Sequence, residues 1–189
     1  MGLLDVLFGR KRLKDAREEK LFALPSAAVT MQTELDLKPG AVAAVCFKPL
    51  SAGDFVRAEN ELQELLDVAA QETGSRVRRK SDELGFEWLV VEDEDFEDLV
   101  TTVHMIGSEL KARGFGGQLL AAIFRFDQKG RPVYWIYGYK RGAFWPFVPG
   151  EKERERDNSE ELELKAKLEK ELPVEQDLSR WFALFDAPV

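Results

Sequence analysis

The sequence predicts an α+β domain in which an antiparallel sheet of about five strands carries two helices on one face. Two observations lead to this prediction. Short apolar runs alternate with two longer segments whose apolar residues recur at helical spacing. In addition, the middle of the chain holds a nearly continuous apolar hairpin, and such strands need cover on both faces of a sheet.

The predicted hairpin occupies residues 119–139. Its first arm, residues 119–126, is almost wholly apolar, and its second, residues 133–139, is β-branched and aromatic with one glycine. The polar loop Asp127-Gln128-Lys129-Gly130 lies between them, which is typical of a β-hairpin. Beyond the hairpin, Pro146 and Pro149 are expected to end any further strand.

Two segments have the spacing of core-facing helices. In residues 52–72 the apolar stripe consists of Phe55, Ala58, Leu62, Leu65, Leu66 and Ala69. In residues 95–113 it consists of Phe96, Leu99, Val100, Val103, Ile106 and Leu110. An acidic run at residues 92–98 precedes the second helix. We expect this run to cap free N–H groups, because it lacks the ligand ladder of a calcium loop.

The order of the predicted elements indicates a topology. The strands are residues 41–47, 75–80, 86–92, 118–126 and 132–139. With the two helices, the first six elements have the βαββαβ order of a ferredoxin-like fold, and one hairpin strand follows. If the first strand lies outside the core sheet, the order resembles instead the α+β fold of secretion chaperones. Both topologies stay open at this point.

Appendages are expected on both sides of this core domain, residues 41–149. Residues 1–40 are predicted to hold an amphipathic helix and an extended lead-in. Residues 150–189 are predicted to form a charged linker and C-terminal helices that pack on the core. There, Asp157 and Glu160 have the spacing of a capping box for a helix to about Leu172. A last short helix is expected at residues 176–185, with its aromatic side chains docked on the domain.

Composition argues against several classes of function. The 189 residues carry a net charge of −8, so the chain lacks the basic surface that nucleic-acid binding requires. No apolar run approaches the roughly 20 residues that span a bilayer, and the opening segment has no basic start like that of a signal peptide. We therefore expect a cytoplasmic protein. Cys46 is the only cysteine, and its apolar strand predicts a buried, unreactive thiol.

No motif in the chain indicates catalysis. His104 is the only histidine, and it lies in a predicted helix without the second ligand that a metal site needs. No nucleophile or orienting partner for His104 is visible. We therefore predict no enzyme activity, no cofactor and no metal. A small-molecule enzyme or binding domain stays as an alternative, since paired carboxylates occur in any acidic protein.

Two segments are candidates for contact with a partner or a membrane. Residues 2–14 combine an apolar helical face with a basic end, a pattern that suits an anionic membrane, a partner helix or packing on the domain itself. Residues 140–147 combine basic and aromatic side chains. The candidate contact residues are Leu3, Leu4, Leu7, Phe8, Arg10, Lys11, Arg12, Lys140, Arg141, Phe144, Trp145 and Phe147.

Several strings, in order along nearly the whole chain, carry a family resemblance. They are MGLLDVLFGR, LFALPSAAVTMQ, AVCFKPL, YKRGAFWPFVP, RDNSEELEL and LPVEQDLSRWFALFDAP. Together they resemble the PspAB family, bacterial proteins associated with phage shock protein A. The resemblance implies a non-enzymatic adaptor of the phage-shock (envelope stress) system, which acts beside a PspA-like coiled-coil protein that binds anionic membranes. The alternative is a peripheral membrane sensor whose N-terminal segment binds anionic lipid at the inner face of the cytoplasmic membrane.

Overall fold

The computed structural model describes residues 19–48, 64, 67–68 and 74–189. The strands in these ranges are β1 (Lys38–Phe47), β2 (Arg76–Ser81), β3 (Glu87–Glu92), β4 (Leu119–Gln128), β5 (Arg131–Gly138) and β6 (Ala143–Phe147). The helices are α1 (Ala23–Glu34), α2 (Phe96–Ala112) and α3 (Asn158–Leu168). Short 3₁₀ turns occupy Glu19–Phe22, Phe115–Gly117 and Leu178–Arg180.

The six strands form one antiparallel sheet in the order β2-β3-β1-β4-β5-β6. Its first four strands have the order expected for a ferredoxin-like βαββαβ unit, because β3 lies between β2 and β1, and β1 lies between β3 and β4. The α+β prediction is therefore confirmed. The chaperone-like alternative is wrong, since β1 lies in the middle of the sheet. Most of the predicted helix 52–72 lies outside the described residues, although Glu64, Asp67 and Val68 are helical.

The sixth strand was not predicted. Pro146 and Pro149 were expected to end the sheet, yet β6 pairs with β5 and places Pro146 opposite Trp135. A proline is tolerated here because β6 is an edge strand, where a missing N–H breaks fewer ladder hydrogen bonds. The sheet therefore has six strands instead of about five.

The helix-covered face of the sheet holds much of the core. Phe124 and Phe126 of β4 point toward α2, and both rings contact Phe96, with ring centroids 6.3 and 5.3 Å apart. Asp95 caps α2, since its Oδ1 accepts hydrogen bonds from the N–H groups of Glu97 (2.8 Å) and Asp98 (3.2 Å). The predicted capping role of the acidic run is confirmed.

The predicted extended lead-in is wrong in part, because residues 23–34 form α1. Pro25 lies in the first turn of α1, where a missing N–H costs no helical hydrogen bond. One face of the helix is buried, namely Leu24, Ala27, Ala28 and Met31. This apolar face is the reason that the segment folds back on the sheet. The domain boundaries themselves stay a prediction.

The C-terminal region differs from the prediction in its last element. Asp157 caps α3 by accepting a hydrogen bond from the N–H of Glu160 at 3.1 Å, as expected, but the helix ends at Leu168. The helix predicted at residues 176–185 is wrong, since only Leu178–Arg180 forms a single 3₁₀ turn. Tertiary contacts of Trp181, described below, keep the rest of this segment out of a helix.

The close contact between α2 and the turn after β5 yields a test of the fold. A Cβ atom added at Gly107 would lie 2.9 Å from a ring carbon of Tyr139. We expect Gly107→Val to lower the free energy of unfolding by about 2 kcal/mol, because the overpacked side chain must displace the ring. Ala112→Val, at an exposed position of the same helix, is the control and should cost less than about 0.7 kcal/mol. Equal losses in urea denaturation would contradict the packing described here.

A groove and a helix anchored by the C-terminal segment

A row of small residues crosses the sheet on the face opposite α2. Cys46 lies directly opposite Ala121, Ala121 opposite Gly138, and Gly138 opposite Ala143. Residues that face each other across antiparallel strands project on the same side. Since side chains alternate along a strand, Ala121 points away from the face to which Phe124 and Phe126 belong. The row therefore forms a trough, which we define by Cys46, Ala121, Gly138 and Ala143.

Two tryptophans flank the trough. Trp88 of β3 lies opposite Cys46 at one end. Trp145 of β6 lies beside Gly138, where an added Cβ atom would come within 2.9 Å of the indole ring. A glycine at this position therefore leaves room for Trp145 to lie against the sheet. The groove that contains the trough has a volume of about 540 Å³, which is within the range of small-molecule sites.

Residues 182–187 form one wall of this groove. Three anchors hold the segment in place. The indole N–H of Trp145 donates a hydrogen bond to the carbonyl of Phe182 at 3.0 Å. The guanidinium of Arg156 donates to the carbonyl of Trp181 at 2.6 Å. The ring of Phe185 contacts the ring of Phe147 edge-on, with centroids 5.0 Å apart. The C-terminal segment is therefore part of the groove.

Charged groups of both signs line the groove. At the β5–β6 end the groove is lined by Lys140, Arg141, Arg180 and Glu175, and both arginines lie 3.6 Å from the carboxylate of Glu175. Arg180 also pairs with Asp177 at 3.0 Å, so both arginines at this end are paired with carboxylates.

The opposite end of the groove is formed by the turn between β2 and β3. Asp82 accepts hydrogen bonds from the N–H groups of Leu84 and Phe86 and from the indole of Trp88, all at 2.9 Å. These neutral donors fix the turn without cancelling the negative charge of Asp82. Arg154 and Asp186 also line the groove and pair with each other at 3.0 Å. The groove therefore combines an apolar floor with ion pairs at its rim.

A buried ion pair fixes α3 beside β6. Glu161 is 2% exposed, and its carboxylate accepts hydrogen bonds from the N–H of Val148 at 2.9 Å and from the guanidinium of Arg156 at 3.0 and 2.8 Å. Burial raises the pKa of Glu161, and the hydrogen bonds from Arg156 and Val148 oppose that rise only in part. The pair therefore specifies where α3 lies more than it adds net stability.

The outer face of the anchored helix carries a short seam of small side chains around one exposed leucine. Ser159, Leu162 and Ala166 are exposed and follow one another at steps of three and four residues, which is the spacing of core positions in a coiled coil. Leu162 is 46% exposed. The charged pair Glu163 and Lys167, 4.0 Å apart, flanks this seam. The seam therefore has the spacing of a helix-packing surface, with Leu162 at its centre.

Comparison with known proteins assigns the family. The family model described as PspAB, PspA associated protein B, matches residues 1–189, which is the whole chain. The chain belongs to the PspAB family. Comparisons with curated proteins and with solved structures gave no significant match.

The structure of this PspAB chain places the predicted contact residues in different environments. Lys140 and Arg141 are exposed and line the groove. Trp145 is buried but forms part of the groove floor, whereas Phe144 and Phe147 are buried core residues. The seven N-terminal candidates lie outside the described residues, namely Leu3, Leu4, Leu7, Phe8, Arg10, Lys11 and Arg12. Their contact with a partner or a membrane stays a prediction.

His104 and Cys46 of this PspAB chain are both packed against neighbouring side chains. The half-buried ring of His104 lies 4.6 Å from the ring of Phe22. Cys46 is buried in β1 as predicted, and burial, with a smaller effect from Asp82, raises the pKa of its thiol to about 12. Within the described ranges, no group of three or more His, Cys, Asp or Glu residues could hold a metal ion. Among those residues, no helix is long and apolar enough to cross a bilayer.

The sequence pattern did not identify the trough, the seam or the ion pair. The trough combines residues from four strands, and its members become neighbours only through the strand register. Glu161 looked like one more charge on a solvated helix. Its neighbour Arg156, five residues earlier, was the available signal, but the sequence does not show that both face the sheet.

The ion pair yields a test of how α3 is held. We expect Glu161→Ala to lower the free energy of unfolding by about 2 to 3 kcal/mol, because Arg156 and the Val148 N–H lose their partner. The control is Glu163→Ala, two residues along the helix on its exposed face. This substitution should change the free energy of unfolding by less than about 0.5 kcal/mol. Chemical denaturation measures both variants, and a neutral Glu161→Ala would contradict the anchoring role.

Proposed function

We propose that this chain is a non-enzymatic adaptor of the bacterial phage-shock (envelope stress) system that binds a PspA-like coiled-coil protein. Membership of the PspAB family supports association with PspA. The observation that carries the choice of surface is the exposed seam Ser159, Leu162 and Ala166 on α3. The adaptor acts in the cytoplasm, where its partner lies at the inner face of the membrane.

The seam suits a coiled coil for two physical reasons. Its spacing lets Leu162 and Ala166 pack between side chains of a facing helix, as core positions do in helical bundles. The flanking charges Glu163 and Lys167 can then pair across the contact and set its register. Because Glu161 and two buried leucines hold the inner face of α3, the seam is presented without a change in the fold.

A point substitution in the seam tests this proposal. We expect Leu162→Asp to weaken retention of the PspA-like coiled-coil protein about tenfold, because a carboxylate would have to be buried in an apolar contact. Leu162 is exposed in the free chain, so the fold should be unaffected. The readout is the dissociation constant from a pull-down with purified proteins at low salt.

The matched control is Leu84→Asp, the same substitution at a residue that is 74% exposed in the turn between β2 and β3. That turn lies at the opposite edge of the sheet from β6 and α3. Binding should be unchanged by Leu84→Asp. No retention by the unaltered chain would refute the adaptor, whereas retention that Leu162→Asp leaves intact would refute only the surface.

A second candidate function is a peripheral membrane sensor. The observation that favours it is the sequence of residues 2–14, in which Leu3, Leu4, Leu7 and Phe8 precede a basic cluster. We expect the chain to float with vesicles containing anionic lipid, and to float less after residues 1–14 are removed. Flotation that is equal with and without those residues would exclude this segment as the lipid-binding element. Vesicles of neutral lipid are the control for charge.

A further inference from the structure

Room for a bound group is left at the β2–β3 end of the groove, because the indole of Trp145 takes the space above Gly138 at the other end. Leu84 lines the groove at the β2–β3 end, and it also lines a second depression of about 410 Å³. Leu84 is 74% exposed, and Phe182 on the wall of the groove is 64% exposed. Two depressions that share an apolar rim suit a segment with more than one large apolar side chain.

The charges around the second depression favour a basic segment. It is lined by two cations and three carboxylates, namely Lys80, Arg154, Asp82, Glu83 and Asp186. Arg154 pairs with Asp186 at 3.0 Å, so those two charges cancel. Asp82 accepts its hydrogen bonds from neutral donors, and Glu83 is exposed in the turn. Two carboxylates therefore remain against the single ammonium group of Lys80.

The described part of the chain begins toward the same end of the sheet. Helix α2 starts beside the end of β4, where Phe96 contacts Phe126, and it runs back toward the start of β4. Phe22 contacts His104, which lies about 12 Å along α2 from Phe96. The groove contains Ala121, near the start of β4. The first described residues therefore lie near the groove end of the sheet, on its helix-covered side.

The segment that precedes them has matching chemistry and sufficient length. Four cations lie within residues 10–14, directly after an apolar group that consists of Leu3, Leu4, Leu7 and Phe8. Residues 9–18 span at most about 33 Å when extended. The path from the helix layer around the end of the sheet is about 20 Å, since each of the two layers is about 10 Å thick. The linker is therefore long enough to bring the apolar group to the groove.

We propose that residues 2–14 dock on their own chain at the β2–β3 end of the groove. The apolar side chains of the segment fill the two depressions beside Leu84 and Phe182, and its basic cluster lies against Asp82 and Glu83. The tether favours the chain's own segment, because it gives an effective concentration in roughly the millimolar range. Docking also withholds the apolar side chains from lipid, a consequence that rests on the membrane-sensor function proposed above.

Paramagnetic broadening in the full chain tests the docking. A nitroxide attached through Gly9→Cys labels the segment selectively, because Cys46 is buried and the pKa of its thiol is raised to about 12. We expect the amide signals of Leu84 and Phe86 to lose most of their intensity in NMR spectra. The amide of Gly130, in the loop between β4 and β5 at the other end of the sheet, is the internal control and should keep its intensity.

A matched pair of variants locates the contact. The double variant Leu84→Ser and Phe182→Ser removes two exposed apolar side chains, so it should restore the signal of the Phe86 amide. Val29→Ser removes an apolar side chain of α1 that is 63% exposed, and it should leave the broadening unchanged. Because both variants alter only exposed side chains, the fold should be retained, and the chemical shifts of core amides verify this.

Vesicle flotation tests the consequence for lipid. Vesicles that contain anionic lipid should carry a larger fraction of the double variant than of the unaltered chain, because the segment is then no longer held in the groove. Val29→Ser should float like the unaltered chain. If no variant floats, the membrane-sensor function fails, whereas the docking is decided by the broadening alone.

Three results would overturn the proposal. One is the absence of broadening at Leu84 and Phe86, and another is broadening that the double variant leaves intact. The third would come from a mixture of the nitroxide-labelled chain with an isotope-enriched chain that carries no nitroxide. Broadening of the enriched chain at Leu84 would mean that the segment docks on a second copy.

Discussion

The ion pair between Glu161 and Arg156 connects the two surfaces of this PspAB chain that suit a partner or a ligand. Glu161 holds α3 against the end of β6 through the Val148 N–H. Arg156 holds the C-terminal segment through the carbonyl of Trp181. The exposed seam on α3 and the wall of the groove therefore depend on the same two side chains. A buried ion pair is a costly way to stabilise a protein but a specific way to orient one element.

The groove illustrates how register creates a site from unremarkable residues. An alanine or a glycine in a strand has no functional meaning by itself. Four small residues aligned across β1, β4, β5 and β6 leave space above the sheet, and the indole of Trp145 reaches into that space at Gly138. A shift of one residue in any strand would move its member of the row to the opposite face and close the trough.

Much of the fold could be predicted from the sequence. Apolar periodicity identified α2, and the hairpin of β4 and β5 was visible from its two apolar arms and polar loop. Helix capping by Asp95 and Asp157 could also be predicted from the sequence, because a cap depends on residues that are close along the chain. The family assignment followed from strings that extend along the chain, and these strings indicate ancestry without identifying a site.

The remaining features depend on contacts between distant residues. β6 contains Pro146, and only its position at the edge of the sheet makes that proline acceptable. The last predicted helix does not form because Trp181 is held by two tertiary hydrogen bonds. Its carbonyl accepts from Arg156, and its indole N–H donates to the carbonyl of Glu175. Phe144 and Phe147 looked like contact residues but belong to the core. In each case tertiary packing decided the outcome, and a local pattern could not reveal it.

Amide hydrogen exchange at Val148 tests the central claim most directly, namely that the buried carboxylate of Glu161 fixes α3 beside β6. The Val148 N–H should exchange only through global unfolding, with the same protection as core amides of β4 such as that of Phe124. Its exchange in the unaltered chain can be followed by NMR. Exchange as fast as that of the Lys152 amide, which lies in an exposed turn, would contradict the claim.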